Sequence, residues 1–294
     1  MTSTKEKTRW DVYSDLNMGI IHQSTIGTLM GVCAYRWVMY KQHGPMPPGI
    51  AAHVGSGIHA GAEHNYKQKR ESHADLAVTE IEEVAVGTYH QKLKDEGVTL
   101  SSEEKKQKKT LLAQGEKKVR TLAETYTAEL APAIQPDLVE HEFVVPIPQI
   151  DIALKGKIDL RDDKCWLLDL KTAGQKKSQG DVDNSDQLPC YAFAHECLFG
   201  VEPTGLGIDV LVCTDKTMKC YRQDRLVATW RELHDGENEE DRRKRVMRHY
   251  DAFLNRIKLI LKMLKTGLFP PNPQSFLCSE RYCGYWAVCE WPYK

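Results

Sequence analysis

The sequence predicts an α/β fold: a mixed central β-sheet flanked by helices, with a helical N-terminal part before it and a cysteine-rich tail after it. Three observations carry this. Residues 72–131 are rich in Glu, Lys, Ala and Leu, the straight-chain residues that lose little on entering a helix. From about residue 136 the pattern changes to short β-branched or alternating segments separated by turn residues. After residue 266 the chain turns loop-like, aromatic and rich in Pro and Cys. The 294 residues, 41% hydrophobic and 28% charged, have a globular composition. They divide into a helical part (1–135), a sheet-bearing core (136–266) and a tail (267–294), read as one integrated domain.

Taken in order, residues 24–42 have a helical pattern, with Ser24 or Thr25 placed to cap it. HGPMPPGIAAH reads as a Pro/Gly loop, followed by a helix from about Gly57 to Lys69. Long helices over 72–131 break near Gly97 to Ser102 and end at Pro132 and Pro136. LVEHEFVVPIP, IALKGKIDLR, CWLLDLKT, GIDVLVCTDK and KCYRQDRLV are strand candidates. Residues 187–199 and 239–266 read as helices.

Composition excludes several classes. No run of about 18 apolar residues is present, so no membrane span is expected. The first fifteen residues, MTSTKEKTRWDVYSD, lack the apolar core of a signal peptide, so the expected compartment is the cytoplasm. The net charge of −1 provides no global basic field. Basic character is local: Lys105 to Lys109 near Lys117, Lys118 and Arg120, and Arg242 to Arg245 followed by Arg248 and Arg256. Each run suits phosphate contacts or an ordinary solvated helix face. Nine cysteines, an odd number, point to reduced thiols and metal ligands rather than a disulfide framework. Cys165, Cys190, Cys197, Cys213 and Cys220 lie among apolar neighbours and read as small buried hydrophobes.

The segment LKGKIDLRDDKCWLLDLKT reads as two strands and a short polar turn. Alternation puts Asp169 and Lys171 on one face, with Leu168 and Leu170 on the other. A three-residue turn at Asp162 to Lys164 pairs Arg161 with Cys165 and Asp159 with Leu167. Asp159 then shares the face of Asp169, one diagonal step away. A two-residue turn would reverse it. Two carboxylates and an ammonium on one sheet face suit phosphodiester hydrolysis. The carboxylates bind a hard cation through oxygen, and the lysine orients water or meets developing negative charge. The plain alternative is an edge hairpin with solvent-facing charges. Gly55-Ser56-Gly57-Ile58-His59 adds an imidazole at a glycine-rich helix. Gln187 and Tyr191 are four apart on one helix face, with Pro189 tolerated in the first turn. Glu142, on the strand before the hairpin, offers another carboxylate.

In order, Gly55…His59, Gly156-Lys157-Ile158-Asp159, Asp169-Leu170-Lys171 and Gln187…Tyr191 resemble the RecB-like branch of the PD-(D/E)XK nucleases. That resemblance implies a restriction-endonuclease-like core. It also implies that His59, Asp159, Asp169 and the Leu170 main-chain carbonyl are ligands for Mg²⁺ or Mn²⁺. Lys171 would be the catalytic lysine, with Gln187 and Tyr191 supporting it.

Cys278-x4-Cys283-x5-Cys289 supplies three thiols in a short aromatic loop, and Cys33 can supply a fourth if the tail returns to the first helix. Local sequence leaves an iron–sulfur cluster, structural zinc and free buried cysteines open. A subset of RecB-like nucleases, including the CRISPR-associated exonucleases and the AddB subunit, carries one N-terminal and three C-terminal cysteines on a 4Fe-4S cluster. Cys33-Ala34-Tyr35-Arg36 and Phe269-Pro270-Pro271 resemble their flanking segments. The spacing of four between Cys278 and Cys283 departs from their usual two and points toward a related stand-alone, phage-borne type.

The resemblance therefore implies a DNA exonuclease acting on ends or single strands, with a structural 4Fe-4S cluster. It allows recombination or CRISPR-adaptation partner proteins and a homo-oligomer. The rival readings are a catalytically inactive DNA-binding scaffold of the same fold and a zinc-stabilised interaction protein.

Overall fold

A computed structural model of the chain describes residues 19–214 and 217–291. The polar N-terminal residues 1–15, and Asp215 and Lys216 at the end of one strand candidate, lie outside the described residues.

Short strand β1 (Ile20–His22) leads into α1 (Gln23–Ile26), a π-helical turn (Gly27–Val32) and α2 (Arg36–His43). One continuous helix was expected here, capped by Ser24 or Thr25. Instead His22 occupies the cap position and the helix breaks at Cys33, whose backbone is extended. The break is stabilised from outside: Tyr35 N–H donates to the Pro270 carbonyl, and Asn272 Nδ2 donates to the Val32 carbonyl. The tail thus satisfies backbone groups that a continuous helix would have paired internally.

Helix α3 (Ile50–Ser72) starts seven residues before the expected Gly57. Ile50, Val54, Ile58, Ala62 and Tyr66 recur every four residues and form its inward stripe. Then come α4 (Val78–Glu96), α5 (Ser102–Lys106) and α6 (Lys108–Thr125), the break near Gly97 falling where the sequence placed it. Gly57 lies well inside α3 rather than at its start, and with Gly61 it faces α4, where the two helices pack closely. A Cβ on Gly57 would sit 2.6 Å from the Ala85 carbonyl oxygen, and one on Gly61 2.9 Å from that of Ile81.

The sheet follows: β2 (Pro136–Ile147), β3 (Ile152–Asp162) and β4 (Trp166–Ala173). Next are α7 (Gln179–Asp183) and α8 (Gln187–Phe199), then β5 (Gly205–Cys213) and β6 (Cys220–Val227). Helix α9 (Glu239–Thr266) comes last. Asn238 caps α9 through the Asp241 N–H, its first turn is acidic, and Gly267 ends it in the left-handed region. The strand order is β1-β3-β4-β5-β6, with β2 on the other edge of β3. β4 and β5 are parallel; β2–β3, β3–β4 and β5–β6 are antiparallel.

Helices cover both faces. Residues of α1, α8 and α9 join Leu206, Ile208, Val210 and Val212 in one core. Residues of α3, α4 and α6 join Leu168, Leu170 and Leu211 in the other. β5 is buried along its whole length, as a strand covered on both faces must be.

Cys213 and Cys220 were expected to be reduced buried thiols. They are register partners across β5 and β6, which places them face to face, and they form a disulfide. Cys190 is buried as expected, whereas Cys197 is exposed. The tail does return to the N-terminal segment. Tyr285 OH donates to the Gly44 carbonyl and Tyr35 OH to Glu290.

Candidate active site

The site lies where the sheet splits. β3 pairs with β4 only at Leu160–Leu168 and Arg161–Leu167, while farther back the same edge of β3 pairs with β1. The two strands therefore part just beyond Asp159 and Asp169. The gap lets side chains from the helix layers on opposite faces meet.

The hairpin turn sets the register. Asp162 Oδ1 accepts from the Lys164 and Trp166 N–H groups, the Cys165 N–H donates to the Asp162 carbonyl, and Cys165 adopts φ 62°. This is a three-residue connection with a left-handed final residue. Its odd length matches the parity the site requires. Continuing the register by one residue brings Asp159 level with Asp169, rather than one diagonal step away.

Gly156, at the start of the Gly-x-x-Asp segment, is there for space. A Cβ would lie 2.6 Å from Phe143 Cζ and 3.3 Å from Gln23 Cβ.

Around the split, Lys171 Nζ donates to Asp169 Oδ1 at 2.9 Å and to Gln187 Oε1 at 2.9 Å. Gln187 Nε2 donates to Asp169 Oδ1 at 2.8 Å and to the Tyr191 hydroxyl. Tyr191 in turn donates to Asp159 Oδ1 at 2.7 Å. The structure thus joins Asp159, Asp169, Lys171, Gln187 and Tyr191 in one hydrogen-bonded chain. His59 reaches in from α3, its Nδ1 3.9 Å from Asp159 Oδ2 and its ring close to the Leu170 backbone. Burial, then the Lys171 charge, hold His59 below the ordinary histidine range, which keeps it neutral and able to ligate. Burial and the neighbouring Asp159 carboxylate push Asp169 up to about 7 against the pull of Lys171.

Among the described residues no three His, Cys, Asp or Glu side chains already form a metal-binding group. The donor chemistry nevertheless fits a hard divalent cation. Asp169 Oδ2 is buried and accepts no hydrogen bond, although Lys171 Nζ lies 2.8 Å away. Asp159, the neutral His59 and the Leu170 carbonyl supply nitrogen and oxygen donors beside it.

Glu142 does not join the site. It is exposed and paired in register with Lys157. Glu140 does: with His59, Glu63 and Asp159 it lines a pocket, and it forms an ion pair with Lys157. Glu140 has φ 52°, and the strand faces exchange around it. Phe143 and Val145 pack in one core, while Val139 and Leu160 pack in the other. Strict alternation could not have revealed that twist. Glu63 was accessible to sequence reasoning, being four residues from His59 on the same helix face.

The basic run on α9 is engaged locally. Arg242 pairs with Glu239 and Glu202, and Arg245 with Glu237; Arg243 and Lys244 pair with Glu239 and Glu240. Cys33, Cys278, Cys283 and Cys289 line a single cavity between the broken N-terminal helix and the tail. Burial raises the Cys278 and Cys283 thiols, and the other cysteines add to the rise.

A sequence model described as PD-(D/E)XK nuclease superfamily matches residues 28–290. No curated protein sequence matches the chain. Among solved structures, the fold is similar to a crystal structure of a "Putative exonuclease" from Eubacterium rectale. The TM-score is 0.51 at 13% identity, covering 98% of this chain and 92% of that one. At that identity the likeness concerns the fold alone.

Proposed function

Since the chain belongs to the PD-(D/E)XK nuclease superfamily, we propose that it is a Mg²⁺- or Mn²⁺-dependent DNA exonuclease acting on ends or single strands. In this reading Asp159, Asp169, His59 and the Leu170 carbonyl hold the cation. The carrying observation is the Asp159–Tyr191–Gln187–Lys171–Asp169 network at the split between β3 and β4. When bound, a divalent cation would supply the positive charge that polarises a phosphodiester and acidifies the attacking water.

The chain's own residues do the positioning. Two of the three Lys171 N–H groups go to Asp169 and Gln187, leaving the third for the attacking water or a phosphate oxygen. Gln187 spends both amide protons on Asp169 and Tyr191, which locks the lysine's direction. Tyr191 fixes the Asp159 carboxylate. The neutral His59 leaves a ring nitrogen free of charge for ligation.

We further propose that Cys33, Cys278, Cys283 and Cys289 hold a 4Fe-4S cluster of structural role. Their shared cavity supports a four-thiolate centre, and zinc is the second reading.

The test is degradation of end-labelled single- and double-stranded DNA by protein prepared without oxygen, with Mg²⁺, Mn²⁺ or EDTA. An Asp169→Ala variant runs alongside. Metal-dependent loss of DNA that vanishes in the variant supports the assignment, and the label position reads the polarity. Intact DNA with folded wild-type protein under both metals would leave a DNA-binding scaffold instead. Iron and zinc analysis of the same preparation decides the cysteine centre.

A further inference from the structure

Cys213 and Cys220 face each other at the turn end of the β5–β6 hairpin. The next pair outward, Thr214 and Lys219, is hydrogen-bonded, with Thr214 N–H donating to the Lys219 carbonyl at 3.1 Å. Alternation along an antiparallel ladder makes Cys213–Cys220 a non-hydrogen-bonded pair, the kind whose side chains come closest. Their Cα atoms are 4.2 Å apart, so the sulfurs meet without a change of register. The bond spans only seven residues of sequence, so it restricts the unfolded chain far less than a link across a long loop would. The other seven cysteines are free. In chains that keep their thiols reduced, a disulfide is usually transient and redox-sensing rather than a framework.

Both sulfurs are within reach of a small reductant. Cys220 is half-buried. Cys213, though 3% exposed, lines a cleft of about 440 Å³ between the start of α3, helix α6 and the tail. Met218, between the two in sequence, lines the same cleft and has φ 52°. A side chain in that left-handed region stays there only while its surroundings hold it. The cleft wall is continuous with the candidate active site. β4 and β5 pair Lys171 with Val210, Thr172 with Leu211 and Ala173 with Val212, and Cys213 follows one residue beyond. Cys213 packs in the same core as Leu170, Leu211 and the α3 residues Val54 and Ile58. Thr172 Oγ1 lies 3.3 Å from where a Cβ on Gly55 of α3 would sit. The bond therefore fastens β6 to the strands on which α3 rests, and α3 carries His59.

We propose that Cys213–Cys220 is a reversible redox switch. Oxidised, it holds Met218 and the strand ends against α3; reduced, it releases them and slows cleavage. The effect on cleavage rests on the nuclease reading, whereas the thiol chemistry does not. The step is thiol–disulfide exchange with a dithiol. One thiolate of the dithiol attacks Cys220 Sγ, the more exposed sulfur. A mixed disulfide forms and Cys213 leaves as a thiolate, which takes up a proton. The second thiolate of the dithiol then attacks the dithiol sulfur of the mixed disulfide, and Cys220 leaves and is protonated in turn. Two electrons pass to the protein, and the dithiol departs as its own disulfide.

The test uses the full-length protein with its metal centre loaded, equilibrated in reduced or oxidised dithiothreitol. Alkylation with iodoacetamide followed by mass spectrometry counts the free thiols at 213 and 220. Two free thiols in the reduced buffer and none in the oxidised one, interconverting, are expected. Trypsin should cut the native protein after the exposed Lys219 about tenfold faster in the reduced state. Cleavage of end-labelled DNA should fall about tenfold on reduction, the scale of a small misplacement of a catalytic group, and recover on reoxidation. A Cys213→Ser/Cys220→Ser variant should cleave at the reduced rate in both buffers. That variant, with iron and zinc analysis in each buffer, separates this bond from effects on the tail cysteines. Thiols at 213 and 220 that remain alkylatable in the oxidised buffer overturn the proposal. So does a bond that survives excess reduced dithiothreitol, or wild-type cleavage that is equal in the two states. If the thiols interconvert and trypsin distinguishes the states, but neither state cleaves DNA, the nuclease reading falls and the switch in the strand ends is supported.

Discussion

At the residue scale, Asp169 carries the tension of the site. It is fully buried, faces a second carboxylate and is held by one ammonium, and the balance leaves its proton on up to about pH 7. Proton and cation compete for the same oxygen. The sign follows: below about pH 7 the carboxyl must release a proton to take metal, and above it no proton is displaced. Apparent Mn²⁺ affinity should therefore fall about tenfold per unit as pH drops below 7, and flatten above. Titration calorimetry from pH 5.5 to about 8.5 checks this, and a flat profile would show that Asp169 is not a ligand. Tyr191→Phe keeps the ring in its buried place and removes only the hydroxyl that orients Asp159. It should fold normally and lower metal affinity or activity about 10- to 100-fold, the usual effect of losing a group that orients a ligand. Activity equal to wild type would demote Tyr191 to packing.

At the scale of elements, the approach of α3 to α4 sets the position of His59. Gly57→Ala puts a methyl against the Ala85 carbonyl oxygen, which backbone cannot yield without moving the helix. The expected cost is about 1–3 kcal/mol, with reduced cleavage because His59 sits two residues along. Gly87→Ala on α4 meets nothing within 4 Å, so the same substitution should be neutral or stabilising by about 1 kcal/mol. Thermal melts of the two variants check the pair, and equal melting points would refute the close-approach argument. Much at this scale was legible beforehand. The hairpin strands, α8 and α9 follow from local periodicity and turn chemistry, whereas the odd turn that sets the parity of Asp159 followed only from requiring both carboxylates on one face. The early start of α3 was obscured because glycines that normally mark loops are used here for close packing.

At the scale of the whole molecule, the tail closes the chain onto its own beginning. Cys33 is 245 residues from Cys278, and a bond network holding them would remove much of the freedom of the unfolded chain. Cys278→Ser should lose bound metal and lower the melting temperature by several degrees, while DNA cleavage per folded molecule is retained. Elemental analysis and melting curves check this. Unchanged iron and zinc content would remove Cys278 from the ligand set.

The sequence by itself determined the α/β class and the main elements, and its resemblance to the RecB-like nucleases pointed to the candidate catalytic residues. The class and the elements depend on short-range facts: side-chain alternation, four-residue helical spacing and turn signals. Tertiary structure alone decided that β3 parts from β4 beside Asp159 and Asp169, that Glu140 rather than Glu142 lines the site, and that Cys213 meets Cys220. It also created the cleft between α6 and the tail. These depend on which distant surfaces pack together and where a strand twists, and local periodicity carries no record of that.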